Sequence, residues 1–125
     1  MEPDDIKLAL ELWLDEKPKE AMDLLRPLSE KGNSLAKAEL GGIMINYYEK
    51  EEFPLLEEGA QLLREAMEEG QPSAAHNLGN LYIGLVPTLG KDLKEAARCF
   101  LKSKELGGPI ADEGFYEHWE EMLNG

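Results

Sequence analysis

The chain has a single cysteine, no apolar run near membrane length, no strand pattern and half as many bases as acids. Each shortage excludes something. One thiol cannot close an internal disulfide, so nothing ties the chain to an oxidising compartment. A membrane helix needs about 20 consecutive apolar residues, and none are present. The opening Met1-Glu2-Pro3-Asp4-Asp5 is acidic, whereas a signal peptide begins basic and turns apolar. A cytoplasmic location is expected. With 13 Lys+Arg against 26 Asp+Glu, the net charge is −13 and the pI near 4.5. Nucleic acid and anionic membranes are therefore poor partners, because both need a basic patch.

Chemistry is equally sparse. Neither His76 nor His118 has a second His or Cys at metal-ligand spacing. Without strands there is no strand–loop–helix phosphate cradle. Cys99 precedes an apolar Phe100 and reads as a buried structural thiol. His76 reads as a surface or groove residue, or as a pH-sensitive contact. Adjacent glutamates such as Glu57-Glu58 and Glu120-Glu121 point in different directions on a helix, unlike the facing carboxylates of a glycosidase. No cofactor and no metal is expected, and the chain reads as a non-enzyme. The alternative, an enzyme or its subunit, rests only on His76, Cys99 and scattered carboxylates.

What is present is a repeat. At 125 residues and 42% apolar, one domain with a single core is the expectation. A chain this long buries roughly two thirds of its unfolded surface. Three amphipathic runs end in glycine, at Gly32, Gly70 and Gly107, spaced 38 and 37 residues apart. Seven residues before each glycine stand Leu25, Leu63 and Phe100. Four before stand Leu28, Ala66 and Ser103, and eleven before stand Ala21, Gly59 and Ala96. Beyond the glycines the pattern continues at four (Ala36, Ala74, Ala111), eight (Leu40, Leu78, Phe115) and twelve (Met44, Tyr82, Trp119). Steps of four lie on one helical face. Each unit is thus a helix pair, and its glycine stops the second helix. Pro72 and Pro109 open the helices that follow. The spacing predicts seven helices over about 4–15, 18–31, 34–48, 55–69, 73–84, 91–106 and 110–123. They group as an N-terminal pair over 4–31, a first repeat over 34–70, a second over 73–107 and a cap over 110–123. Asp4 or Asp5 caps the first helix. Its Leu8-Ala9-x-x-Leu12 stands in the place of Leu78-Gly79-x-x-Tyr82. Pro27 is expected to kink or break the second helix. Gly41 and Gly79 are expected to let paired helices approach closely.

Leu78-Gly79-Asn80-Leu81-Tyr82-x-Gly84, Lys91-Asp92, Lys94-Glu95-Ala96-Ala97, Phe100 and Gly107 resemble a Sel-one-like repeat, a relative of the tetratricopeptide repeat. The likeness extends over roughly residues 18–123. The preceding unit has Met44 in place of the usual aromatic, and the last has Phe115-Tyr116 for Leu-Gly. The resemblance implies an all-α, right-handed α-solenoid of antiparallel helix pairs whose work is protein–protein interaction. It also implies that first helices line a concave groove. On that pattern the groove is lined by Leu10, Trp13 and Leu14, by Ala38, Gly42, Ile45 and Asn46, by His76, Asn80, Ile83 and Gly84, and by Glu113, Glu117, Glu120 and Glu121.

Such a groove is apolar at its N-terminal end, with Trp13 as the largest side chain, and acidic at the other. After Lys104 come six acids and no base. One protein partner, basic or presenting a peptide segment, fits that surface: aromatic anchors supply affinity and one-signed charge speeds encounter. The specific expectation is an acidic immunity protein that neutralises a cognate basic, nuclease-type toxin domain. The alternative is a generic adaptor or scaffold that takes a peptide or a signalling partner. A plain reading stays open beside both: Trp13 packs under the second helix and the acids confer solubility. The basic stripe Lys91, Lys94, Arg98 and Lys102 reads as a solvated helix face. A monomer or weak dimer is expected.

Overall fold

The computed structural model describes residues 2–46, 53–85, 92–108 and 113–124. It is all-helical over them, with seven α-helices: α1 (Glu2–Leu14), α2 (Pro18–Glu30), α3 (Ser34–Asn46), α4 (Phe53–Glu68), α5 (Pro72–Asn80), α6 (Leu93–Glu105) and α7 (Glu113–Asn124). A π-helical turn, Leu81–Leu85, extends α5. Such turns mark places where a helix is made to deviate, often near functional sites. Here the backbone amide of Asp92 donates to the Tyr82 carbonyl at 2.8 Å, tying the start of α6 to that turn. No helix among the described residues is long and apolar enough to cross a membrane.

The helix stops recur almost identically. Gly32, Gly70 and Gly107 all take positive φ, at 95°, 98° and 86°. The following amide reaches back to close each turn: Asn33 to the Leu28 carbonyl, Gln71 to Ala66, Gly108 to Ser103. This double closure satisfies carbonyls that a helix end leaves orphaned. The end of α1 makes the same turn through Glu16, at φ 62°, with Lys17 donating to the Leu12 carbonyl at 2.9 Å. A side chain in this left-handed conformation costs roughly 1–2 kcal/mol. Glu16→Gly should therefore raise the unfolding free energy by about 0.5–1 kcal/mol. Urea titration of the two chains checks this, and an unchanged midpoint would contradict it.

Starts are capped by different means. Asn33 accepts from the Ala36 amide through Oδ1 and caps α3, and Asp92 accepts likewise from Glu95 at α6. Pro18 and Pro72 occupy first-turn positions, where the missing N–H costs nothing. α1 already includes Glu2, so Asp4 and Asp5 lie in its first turn and neither is its cap. α2 runs unbroken through Pro27, against expectation. Pro27 and Asp23, whose carbonyl loses its helical donor, are both exposed, so the break in the ladder falls on the solvent side of α2.

Each helix packs on its neighbours in sequence, and α3 also touches α1 and α5. Three overlapping cores result. Ile6, Ala9, Leu25, Leu40 and Met44 centre one between α1, α2 and α3. Leu56, Leu63, Leu78 and Cys99 centre the next, and Phe100 and Trp119 the last. The spacing-derived core positions Leu25, Leu63, Phe100, Ala36, Ala74, Leu40, Leu78 and Met44 are all buried, as is Ser103, whose Oγ donates to the Pro72 carbonyl. Tyr82 and Phe115 are half-buried. Leu8 departs: it is 46% exposed where Leu40 and Leu78 are buried. Those two face an earlier helix pair, and among the described residues none precedes α1. Ala111, Pro109, Lys91 and most of the 48–54 and 84–90 connections lie outside the described residues.

The seams between paired helices are set by glycine. A Cβ on Gly41 would stand 2.8 Å from the Gly59 carbonyl oxygen, and one on Gly79 2.7 Å from the Phe100 ring. α3 meets α4, and α5 meets α6, backbone to neighbour at these points.

Candidate functional site

α3 is the most enclosed helix. Gly41 presses on α4. Leu40, Ile43 and Met44 join the core with α1 and α2, and Ala38 and Ile45 the core with α4 and α5. At 100° per residue, Leu35, Glu39, Gly42 and Asn46 fall on one stripe, and they are the positions away from α4 that stay open. Leu35 and Asn46 are exposed and Glu39 and Gly42 half-buried. α5 borders the stripe: a Cβ on Gly42 would sit 3.2 Å from Asn77 Nδ2. Asn46 Nδ2 curls back to donate to the Gly42 carbonyl at 2.7 Å. Burial pushes the Glu39 carboxyl above the ordinary carboxylate range.

The groove residues implied by the resemblance are only partly together on an open face. Leu10 and Trp13 are half-buried and pack on the first core, so Trp13 exposes only part of its ring. Leu14 projects fully, at 79% exposure. Ile45 and Ala38 are corrections: both are buried, because they project into the core that α3 shares with α4 and α5. Asn46 is exposed, and Asn80 and Ile83 are half-buried, Ile83 against the Phe100 core. Gly84 lies in the π-helical turn.

His76 is not a free groove residue. Its ring lies edge-on to Phe100 at 5.3 Å and tilted to Phe115 at 6.3 Å, and Nδ1 is buried without a hydrogen-bond partner. Trp119 Nε1 is buried and unpartnered in the same cluster. Burial holds the imidazole below its usual value of 6.5. The folded state therefore binds a proton less readily than the unfolded chain. Stability contributed above about pH 6.5 is lost as pH falls from there through the depressed folded value. Urea midpoints of wild type and His76→Leu from pH 7.5 to 5 check this. Wild type should lose more stability on acidification, and parallel curves would contradict it.

The acidic end is less one-sided than its sequence. Lys104 reaches back from α6 to α7, pairing with Glu113 at 2.9 Å and Glu120 at 3.7 Å. The Glu113 hydrogen bond leads in raising the lysine's pKa. Glu117 and Glu121 remain exposed. Elsewhere Arg26 pairs with Glu58, and Lys37 with Glu65 and Glu69. On the α6 stripe Arg98 pairs with Glu95 and Lys102 with Glu105. The Cys99 thiol is buried, and burial pushes its pKa up to about 12. A thiol held there is protonated and a poor nucleophile. No group of three or more His, Cys, Asp or Glu among the described residues is placed to hold a metal ion.

Glu39 and Asn77 were not among the expected site residues. The signal was present: Glu39 is the lone acid in the apolar run from Ser34 to Asn46. No protein-family model matches the chain, and comparison with curated proteins and with solved structures returns no match.

Proposed function

We propose that the chain is a non-catalytic protein–protein interaction module, a right-handed solenoid of helix pairs akin to Sel-one-like repeats, whose partner is a basic protein. The repeated stop geometry and the succession of cores along the helices support the stacked architecture. The observation that carries the function is the charge. Arg26, Lys37, Arg98, Lys102 and Lys104 are each engaged by carboxylates of the chain itself, and acids still outnumber bases two to one. The surface offered to other molecules is therefore negative, and a cationic partner gains most from it.

The specific form of the proposal is an acidic immunity protein acting in the cytoplasm as a stoichiometric inhibitor of a basic, nuclease-type toxin domain. Its test is protection. Cells expressing a cognate cationic toxin domain should survive when this chain is co-expressed, and the purified pair should form a one-to-one complex. Failure to protect against any such domain would overturn the inhibitor. Weak binding to several short segments would point to an adaptor instead.

A further inference from the structure

We infer that the open stripe of α3 is the docking surface for a basic segment of the partner protein, with Glu39 as the carboxylate that receives its arginine or lysine. The inference rests on the proposed interaction role and narrows it to a place. Among the described residues α3 is covered on its other sides by α1, α2, α4 and α5, and this stripe is the face it leaves open. Glu39 is its one charged side chain. The described ion pairs engage the carboxylates of Glu58, Glu65, Glu69, Glu95, Glu105, Glu113 and Glu120, and not that of Glu39. Burial alone accounts for the raised pKa of its carboxyl, with no neighbouring charge contributing. A half-desolvated carboxylate without a cation is a cost of the free protein. An incoming cation removes that cost and gains a charge-assisted hydrogen bond, bidentate if it is arginine.

The neighbours suit such a segment. Gly42, one turn along, has no side chain, and the Asn77 amide closes over it, 3.2 Å from where a Cβ would stand. The half-buried Asn77 stands beside it, offering an amide that both donates and accepts. Leu35, one turn before Glu39, is 40% exposed and supplies an apolar contact. The matching sequence is a cation with an apolar residue about one helical turn or two extended residues away.

The test uses the full chain and two capped nonapeptides, one with a single arginine flanked by leucines, the other with glutamine in place of arginine. Carboxyl and amide NMR spectra are followed during titration. The arginine peptide should shift the Glu39 carboxyl and the amides of Gly42, Asn46 and Asn77, and should lower the Glu39 pKa toward the ordinary range. Glu39→Gln should weaken binding about tenfold, while Glu68→Gln, on an exposed part of α4, should leave it unchanged. Glu39→Gln removes a half-buried, unpaired charge, so its thermal midpoint at neutral pH should be at or above that of wild type, which separates lost binding from lost fold. Binding that moves signals elsewhere, or that survives Glu39→Gln intact, would overturn the docking surface and leave the interaction role standing. Absence of binding by the arginine peptide at millimolar concentration would also overturn it, and the interaction role is decided separately by the folded cationic domains.

Discussion

Phe100→Ala should lower the unfolding free energy by about 3–5 kcal/mol, the usual range for emptying a buried aromatic site. Phe100 is 1% exposed and holds three elements at once. Its edge abuts Gly79 of α5, where no side chain intervenes. Its ring packs against Phe115 and Trp119 of α7, each at 5.0 Å between centroids, and against His76 at 5.3 Å. α7 packs chiefly on α6, so the loss should fall unevenly. Amides of α7 should exchange with solvent first, and those of α2 and α3 should keep most of their protection. Urea titration with residue-resolved hydrogen exchange checks both parts. A loss under about 1.5 kcal/mol, or uniform loss of protection, would contradict the packing described.

Gly41→Ala should cost about 2–4 kcal/mol although alanine is the better helix former by about 1 kcal/mol. The new Cβ would lie 2.8 Å from the Gly59 carbonyl oxygen and 2.9 Å from Leu63 Cγ. The first obstacle is backbone and the second is fully buried, so neither yields without α3 and α4 moving apart. Gly59→Ala strikes the same seam from the other side, 2.8 Å from Met44 Cβ. Once either substitution has separated the helices, the second costs less. The double variant should therefore be less destabilised than the sum of the singles. Chemical denaturation of the three variants checks this, and strict additivity would contradict a shared seam.

These seams were legible in the sequence because they rest on local rules. A glycine four to eleven residues from a stop, in register with leucines, has few interpretations other than a close approach of helices. The glycine stops were legible for the same reason: only glycine takes positive φ without strain. The matching stop at Glu16 was hidden because the residue there gives no such signal, and its turn is enforced by the packing of α1 on α2. Burial of Ile45 was misread because position along a helix does not say which neighbour covers a face. α4 and α5 together close that side of α3, and the offsets cannot show it. Leu8 failed in the opposite sense: the repeat assigns it a core position, but the helix that would cover it is not there among the described residues. The pairing of Lys104 with Glu113 joins residues nine apart across the connection between α6 and α7. Charge counting along the chain treats both as free, so the acidic end looked more exposed than it is. His76 illustrates the same limit, because its aromatic surroundings come from two other helices.

The candidate site itself was only half legible. Gly42 and Asn46 of the stripe were named from the repeat pattern. Glu39 was not, because it gains its character from burial by neighbouring helices. Surface charge, in contrast, follows from composition and survives any rearrangement of helices.

The most direct test of the interaction role is the rate of association with purified cationic toxin domains at low and moderate salt, for wild type and Trp13→Ala. The role predicts one domain bound at about nanomolar affinity or tighter, with an association rate that falls steeply as salt rises from about 0.01 to 0.15 M. Loss of affinity in Trp13→Ala would put the contact at the α1 end of the open face. Binding that is indifferent to salt, or no binding to any cationic domain, would contradict it.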